Sequence, residues 1–272
     1  MRTIVLLFFF LISIIHTDAQ DKLPRTYFFP KMEVKPADLP PASRVWVFLM
    51  AGQSNMAGRG FVEPADTISD ERIITFNRQN EIILAKEPLH LYEPQRTGLD
   101  CGLSFAQALL KQIPDSITVL MVPTAIGGSS LRQWLYDSVY REVQLFTNFV
   151  SKVDEAKKYG TIKGILWHQG ESDANEKDAP LYKERLSILF SRFRTTVGNQ
   201  QLPILMGELG SYSVNAVYWA AINEQIRLLH ASDANTSVIH TDDLRPNADK
   251  VHFNSVGQRI IGQRFAAAFL KL

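Results

Sequence analysis

Ser54, Gln169 and His252, far apart in the chain, carry the chemistry this sequence can offer. A serine hydroxyl is a weak nucleophile near neutral pH until an adjacent base takes its proton. Ser54 stands in Gly52-Gln53-Ser54-Asn55-Met56, directly after the apolar run Phe48-Leu49-Met50. A glycine at that point lets the backbone turn sharply, which would present the serine at the carboxyl end of a strand, where open α/β sheets bind ligands. The plainer reading is that Ser54 caps the following helix. A base is available in Asp249-Lys250-Val251-His252. The three-residue spacing lets Asp249 fold back onto Nδ1 of His252 and leave Nε2 free to serve the serine. The competing reading makes Asp249 a turn residue and His252 a helix-flanking contact; Asp242 and Asp243 are assigned to turns and caps.

Two further stretches could complete such a site. In Thr124-Ala125-Ile126-Gly127-Gly128-Ser129-Ser130 the paired glycines free backbone N–H groups to point at an oxyanion, although a tight turn before a helix explains them equally. No lysine follows at the offset a phosphate loop requires. In Trp167-His168-Gln169-Gly170-Glu171-Ser172-Asp173, polar side chains follow an apolar run and would be costly to bury without partners. The Gln169 amide could donate to a developing negative oxygen. Glu171 could orient a histidine or bind a sugar hydroxyl. His168, beside Trp167, reads as a hydrogen-bonded structural residue.

The elements that must position these residues alternate short apolar runs with amphipathic stretches, the pattern of parallel strands joined by crossover helices. Strands are expected at Val45 to Met50, Ile117 to Pro123, Ile162 to His168, Pro203 to Leu209 and Ser237 to Thr241. Helices are expected at Leu103 to Gln112, Ser138 to Tyr159, Ala179 to Val197, Ala216 to Ala231 and Ser255 to Leu270, the last capped by Asn254 or Ser255. The expected fold is a three-layer α/β/α sandwich on a five-stranded parallel sheet. Arg59 to Thr97 is the least regular segment, with one strand pair around Arg72 to Leu84, and reads as an insertion over the sheet edge.

Composition bounds the setting. Arg2, an apolar block from Ile4 to Ile15 and the small residues ending at Ala19 form an export signal expected to be cleaved after Ala19. The block is short for a membrane span, so no stable anchor is expected. A Pro-rich arm occupies residues 20–43, and one domain runs from 44 to 272. The one cysteine, Cys101, allows no intramolecular disulfide, which leans the setting towards a bacterial periplasm or exterior. A net charge of +1 gives no footprint for nucleic acid. No protein partner is indicated.

The serine precedes the histidine by nearly the whole domain and lacks the second glycine of a nucleophile elbow, which disfavours an α/β-hydrolase. Four blocks in order, Gly52 to Met56, Ala125 to Ser130, Trp167 to Asp173 and Asp249 to Phe253, resemble the SGNH hydrolases, more narrowly the sialate O-acetylesterase and acetylxylan esterase group, carbohydrate esterase family six. The resemblance implies a flavodoxin-like sheet, no metal or cofactor, and removal of acetyl groups from sugars such as acetylated xylan or sialic acid. It makes Ser54 the nucleophile and His252 the base, with Ser54 N–H, Gly127 N–H and the Gln169 amide as the oxyanion hole. Asp249 fits the general pattern for the third triad member, while in some relatives the position of Glu171 takes that part. Arg59, Arg132 and Trp134 are candidate substrate-binding residues at the rim, since planar guanidinium and aromatic groups suit sugars and carboxylates. The rivals are a non-catalytic secreted carbohydrate-binding protein and an esterase or acyltransferase for longer chains.

Overall fold

A computed structural model describes residues 25–272; the expected export signal lies outside the described residues. The first strand, β1 (Val45–Gly52), is apolar along nearly its whole length because both of its faces are covered. Val45, Val47, Leu49 and Ala51 point into one core, and Phe48 and Met50 into the other. The other strands of the main sheet are β2 (Ile73–Phe76), β3 (Ile82–Leu84), β4 (Thr118–Pro123), β7 (Thr161–His168), β8 (Ile204–Gly207) and β9 (Thr236–Ile239). They form one sheet in the order β3-β2-β4-β1-β7-β8-β9. All neighbouring strands pair in parallel except β2 and β3.

The five expected strands are present and lie in the order 2-1-3-4-5 of a flavodoxin-like sheet, which places a crevice at the carboxyl ends of β1 and β7. The sheet is wider than expected, because the pair around 72–84 is hydrogen-bonded to β4 and extends the sheet. The arm covers that new edge: the Val34 carbonyl accepts the Leu84 N–H at 2.8 Å, and Lys35 pairs with Glu81.

One face carries α2 (Gly102–Leu110) and α7 (Ser255–Phe269), whose Phe105, Leu109, Ile261 and Phe265 pack on Phe48 and Met121. The other carries α3 (Leu131–Leu135), α4 (Leu145–Ala156), α5 (Tyr182–Val197) and α6 (Ala216–His230), around Trp134, Phe149, Trp167 and Phe193. The helix expected from Ser138 starts only at Leu145. Residues 139–144 instead form a small hairpin, β5 (Val139–Tyr140) and β6 (Val143–Gln144), whose turn holds Arg141 and Glu142 at positive φ. Among the described residues no helix is long and apolar enough to cross a membrane.

Candidate active site

β1 ends at Gly52, where a φ of +134° and the nearby His168 carbonyl leave no room for a side chain. The chain turns there, Gln53 donates its N–H to the same carbonyl at 2.9 Å, and Ser54 opens the single-turn helix α1 (Ser54–Ala57). The Ser54 hydroxyl lies 2.9 Å from Nε2 of His252, and His252 Nδ1 lies 2.7 Å from Oδ2 of Asp249. The other Asp249 oxygen accepts the backbone N–H groups of Val251 and His252, each at 2.9 Å. Partial burial works to raise the Asp249 pKa, but the ring and backbone donors outweigh it and hold the carboxyl below its usual range. Nδ1 therefore donates to an ionised carboxylate, and the lone pair of Nε2 faces the serine.

Asn55 fixes the histidine segment from below. Its Nδ2 donates to the Val251 carbonyl at 3.3 Å and to Glu171 Oε1, while its Oδ1 accepts the Phe253 N–H at 3.1 Å. Asn254 caps α7 through the Gly257 N–H at 2.8 Å. The histidine thus sits on a short turn tied at one end to the serine's own helix and at the other to a helix start. Glu171 faces Asn55, and of the two candidate carboxylates Asp249 is the one that meets His252.

A family model for carbohydrate esterases, sialic acid-specific acetylesterase, matches residues 44–271. The chain belongs to this family. A probable carbohydrate esterase of Arabidopsis thaliana is 28% identical over 257 residues, covering 88% of this chain and 95% of that protein. A solved structure of an Arabidopsis thaliana protein superimposes with a TM-score of 0.74 at 26% identity, over 85% of this chain and 99% of the other. The structure of NanS does so with a TM-score of 0.69 at 19% identity, over 86% and 98%. The protein is a carbohydrate O-acetylesterase.

In this acetylesterase the third block is scaffold more than donor. Nε2 of Gln169 donates to Asp173 Oδ2 at 2.6 Å, Gln53 Oε1 at 3.0 Å and the Ser129 carbonyl at 3.2 Å. Its Oε1 accepts the Tyr182 hydroxyl at 3.0 Å. Two amide hydrogens already face three acceptors, so Gln169 offers none to a substrate carbonyl, contrary to the expectation. Asp173 also accepts the Leu131 N–H at 2.9 Å, and burial raises its pKa. Gln53 accepts the Gly170 and Ser172 N–H groups, tying the end of β1 to the end of β7. His168 is structural as read: it is buried, its Nε2 meets the Glu208 carbonyl at 2.8 Å, and burial lowers its pKa and keeps it neutral.

The second block is also engaged. The Gly127 N–H donates to Glu93 Oε2 at 2.6 Å, so as an oxyanion donor it is occupied by a carboxylate of the protein itself. Glu93 also pairs with Arg59 at 3.0 Å and with Arg141. Arg59 is therefore buried beside the site and not at its rim. Burial, then the charges of Arg25, Arg141 and Arg96, pulls its pKa down to about 9, with Asp249 acting in the opposite sense. It stays cationic at neutral pH. Trp134 is fully buried, with Nε1 donating to Ser129 Oγ at 2.9 Å and its ring 5.7 Å from Trp167; apolar packing on the sheet keeps it from the rim. Arg132 is exposed, over the ring of Tyr136. Of the residues expected to surround the carbonyl, Ser54, His252 and Asp249 meet directly. The Ser54 N–H, first of α1, has no intrahelical acceptor.

Sequence reasoning passed over Asn55, Gln53, Glu93, Arg141 and Tyr212. Gln53 and Asn55 flank the serine in its own block, and two amides directly after an apolar strand were a usable signal. Glu93 lies in the irregular segment and Arg141 in a stretch that reads as helix, and neither left one.

Proposed function

We propose that the esterase deacetylates an acidic sugar through an acetyl-serine intermediate. His252 Nε2 takes the Ser54 proton as Oγ attacks the acetyl carbonyl, and Asp249 holds the ring and offsets its positive charge. The Ser54 N–H faces the oxyanion. His252 returns the proton to the leaving sugar oxygen, then activates a water that frees acetate. The contact of Ser54 with His252 at 2.9 Å carries this reading, since it pairs nucleophile and base without rearrangement.

The preference for an acidic sugar rests on Arg59, which shares the buried carboxylate of Glu93 with Arg141 and feels the charges of Arg25, Arg141 and Arg96 as well as that of Asp249. Asp249 acts on both Arg25 and Arg59, which ties the cluster to the catalytic histidine. Glu93, Arg96 and Arg141 line one cavity together with Glu142. A planar carboxylate on the substrate fits such a cluster better than a neutral xylan does. The family description as sialic acid-specific points the same way. The cationic and apolar leader at residues 1–19 supports a site of action outside the cytoplasm.

Acetate release from an O-acetylated sialoside and from acetylated xylan, by wild type and by Ser54→Ala, tests the proposal. Release from the sialoside at least ten times faster, abolished in the variant, is expected. Equal activity of Ser54→Ala would end the serine mechanism, and faster release from xylan would end the acidic-sugar preference.

A further inference from the structure

Among the described residues, the buried polar atoms without a hydrogen-bond partner beside the triad include Glu171 Oε2 and the Tyr212 hydroxyl. Burying either without a partner is costly, so both together beside the triad call for a ligand group. Glu171 is bound through its other oxygen by Asn55, which also grips the backbone on both sides of His252. Tyr212, on the loop after β8, packs its ring edge-on against Phe253 with centroids 5.5 Å apart, and against Trp219 at 5.7 Å. The two side chains therefore flank the segment that carries the catalytic histidine. Burial, then the charge of Glu171, then that of Asp249, raises the Tyr212 pKa, so the phenol keeps its proton.

The two atoms make complementary demands. A carboxylate oxygen only accepts, and a protonated phenol held near it is a ready donor. A group that satisfies both must donate to one and accept from the other, which a hydroxyl does and an ether, a methyl or an ammonium does not. We propose that Glu171 and Tyr212 form a subsite for a free hydroxyl of the substrate sugar close to the ester, with that hydroxyl donating to Glu171 Oε2 and accepting from Tyr212. The subsite rests on the deacetylase reading and deepens it, since it makes the enzyme read the substitution of the carbon next to the acetylated one. A water held for deacylation shares this chemistry, and the two sources differ in what they discriminate. A sugar hydroxyl makes the rate depend on the neighbouring substituent, whereas a water makes it depend on none.

The test uses two methyl glycoside monoacetates, one with a free hydroxyl next to the acetate and one with that hydroxyl O-methylated, and the intact enzyme, Tyr212→Phe and Glu171→Gln. Wild type is expected to favour the free hydroxyl by tenfold or more in kcat/KM, and each variant to bring that ratio to within about threefold of one. Tyr212→Phe keeps the packed ring and so reports even where Glu171→Gln disturbs Asn55; melting curves check that each variant is folded. An unchanged ratio with a uniform loss of rate on both glycosides would overturn the subsite in favour of a water or scaffold role, as would a wild-type ratio near one. If wild type instead shows no release that depends on Ser54, the deacetylase reading itself fails, so the two failures are distinguishable.

Discussion

The polar side chains of this site fall into two regions built on opposite terms. The Asp249–His252 turn is open: its carboxylate and imidazole side chains are 42% and 19% exposed, and its carboxyl is held below the usual range by donated hydrogen bonds. The lattice of Gln53, Gln169 and Asp173 at the ends of β1 and β7 is sealed, at 2% exposure or less, and burial pushes its carboxyl up. The open region keeps its charge where protons must move. The sealed region satisfies its own donors and acceptors and fixes where the loops stand. Function should therefore fail first in the open region and folding first in the sealed one.

The largest effect should come from Asp249→Asn, which keeps the shape of the turn but no longer selects the tautomer that presents a lone pair to Ser54. Activity on an aryl acetate is expected to fall by about a thousandfold or more, on the scale of neutralising a triad carboxylate, with little change in melting temperature. A comparable fall in Glu171→Gln with Asp249→Asn nearly active would reassign the orienting part.

Gln169→Leu inverts the pattern. The change fills similar volume but removes the buried amide that Asp173, Gln53 and the Ser129 carbonyl share, and each buried acceptor that loses a donor costs about 1–3 kcal/mol. Denaturant titration should show a stability loss of about 3 kcal/mol or more, while the folded fraction retains much of its activity on aryl acetate. A fully stable but inactive Gln169→Leu would return the side chain to the oxyanion and break the comparison.

The same division explains what was legible beforehand. Val45 to Met50 announces a doubly covered strand because every side chain is apolar; Asp249 and His252 announce themselves because their contact uses local spacing, and Ser54 because it follows an apolar strand and a glycine. Gln169 misled because its residue type suits a donor to substrate; its partners Asp173, Gln53 and Tyr182 come from three different segments. Trp134 misled likewise, since an aromatic residue near a functional block looks the same in sequence whether it packs inward or outward. The hairpin at 139–144 interrupts a helical pattern through turn residues at positive φ, Arg141 and Glu142, neither of which is glycine or asparagine. Glu93 reaches Gly127 across 34 residues from a segment with no periodicity to read.

Glu93→Gln probes the boundary between the regions, since Glu93 is buried yet meets three partners beside the triad. The variant keeps an acceptor for the Gly127 N–H but leaves Arg59 without its ionic partner. Removing one member of a buried pair costs about 3 kcal/mol, so a lower melting temperature is expected. On the acidic-sugar reading, the freed positive charge should also lower KM for an anionic acetylated sugar by about threefold at low salt, an advantage that fades as ionic strength rises. Unchanged KM for anionic and neutral substrates alike would place the arginine cluster outside the substrate's reach.

The smallest effect, and the one that isolates burial from catalysis, belongs to Glu87. It is 1% exposed, its Oε2 accepts the Asp100 N–H at 3.2 Å, and its Oε1 has no partner among the described residues. Burial, then the charge of Asp100, lifts its pKa well above the ordinary value of 4.5. The folded state therefore holds a proton that the unfolded chain gives up, so this group's contribution is fully present below the unfolded value and is lost as pH rises through the folded one. Asp249 runs in the other direction: its depressed folded pKa contributes stability above 3.8 that is lost as pH falls through the folded value. Glu87→Gln keeps the neutral shape at every pH. Its melting temperature should exceed that of wild type at pH 8 by about 2–4 °C, with the gap closing at pH 5. Asp249→Asn should show the opposite pattern, slightly less stable than wild type at pH 8, with the gap closing on the acid side. If Glu87→Gln proved no more stable at pH 8 than at pH 5, burial would not be what separates the two classes of carboxyl in this fold.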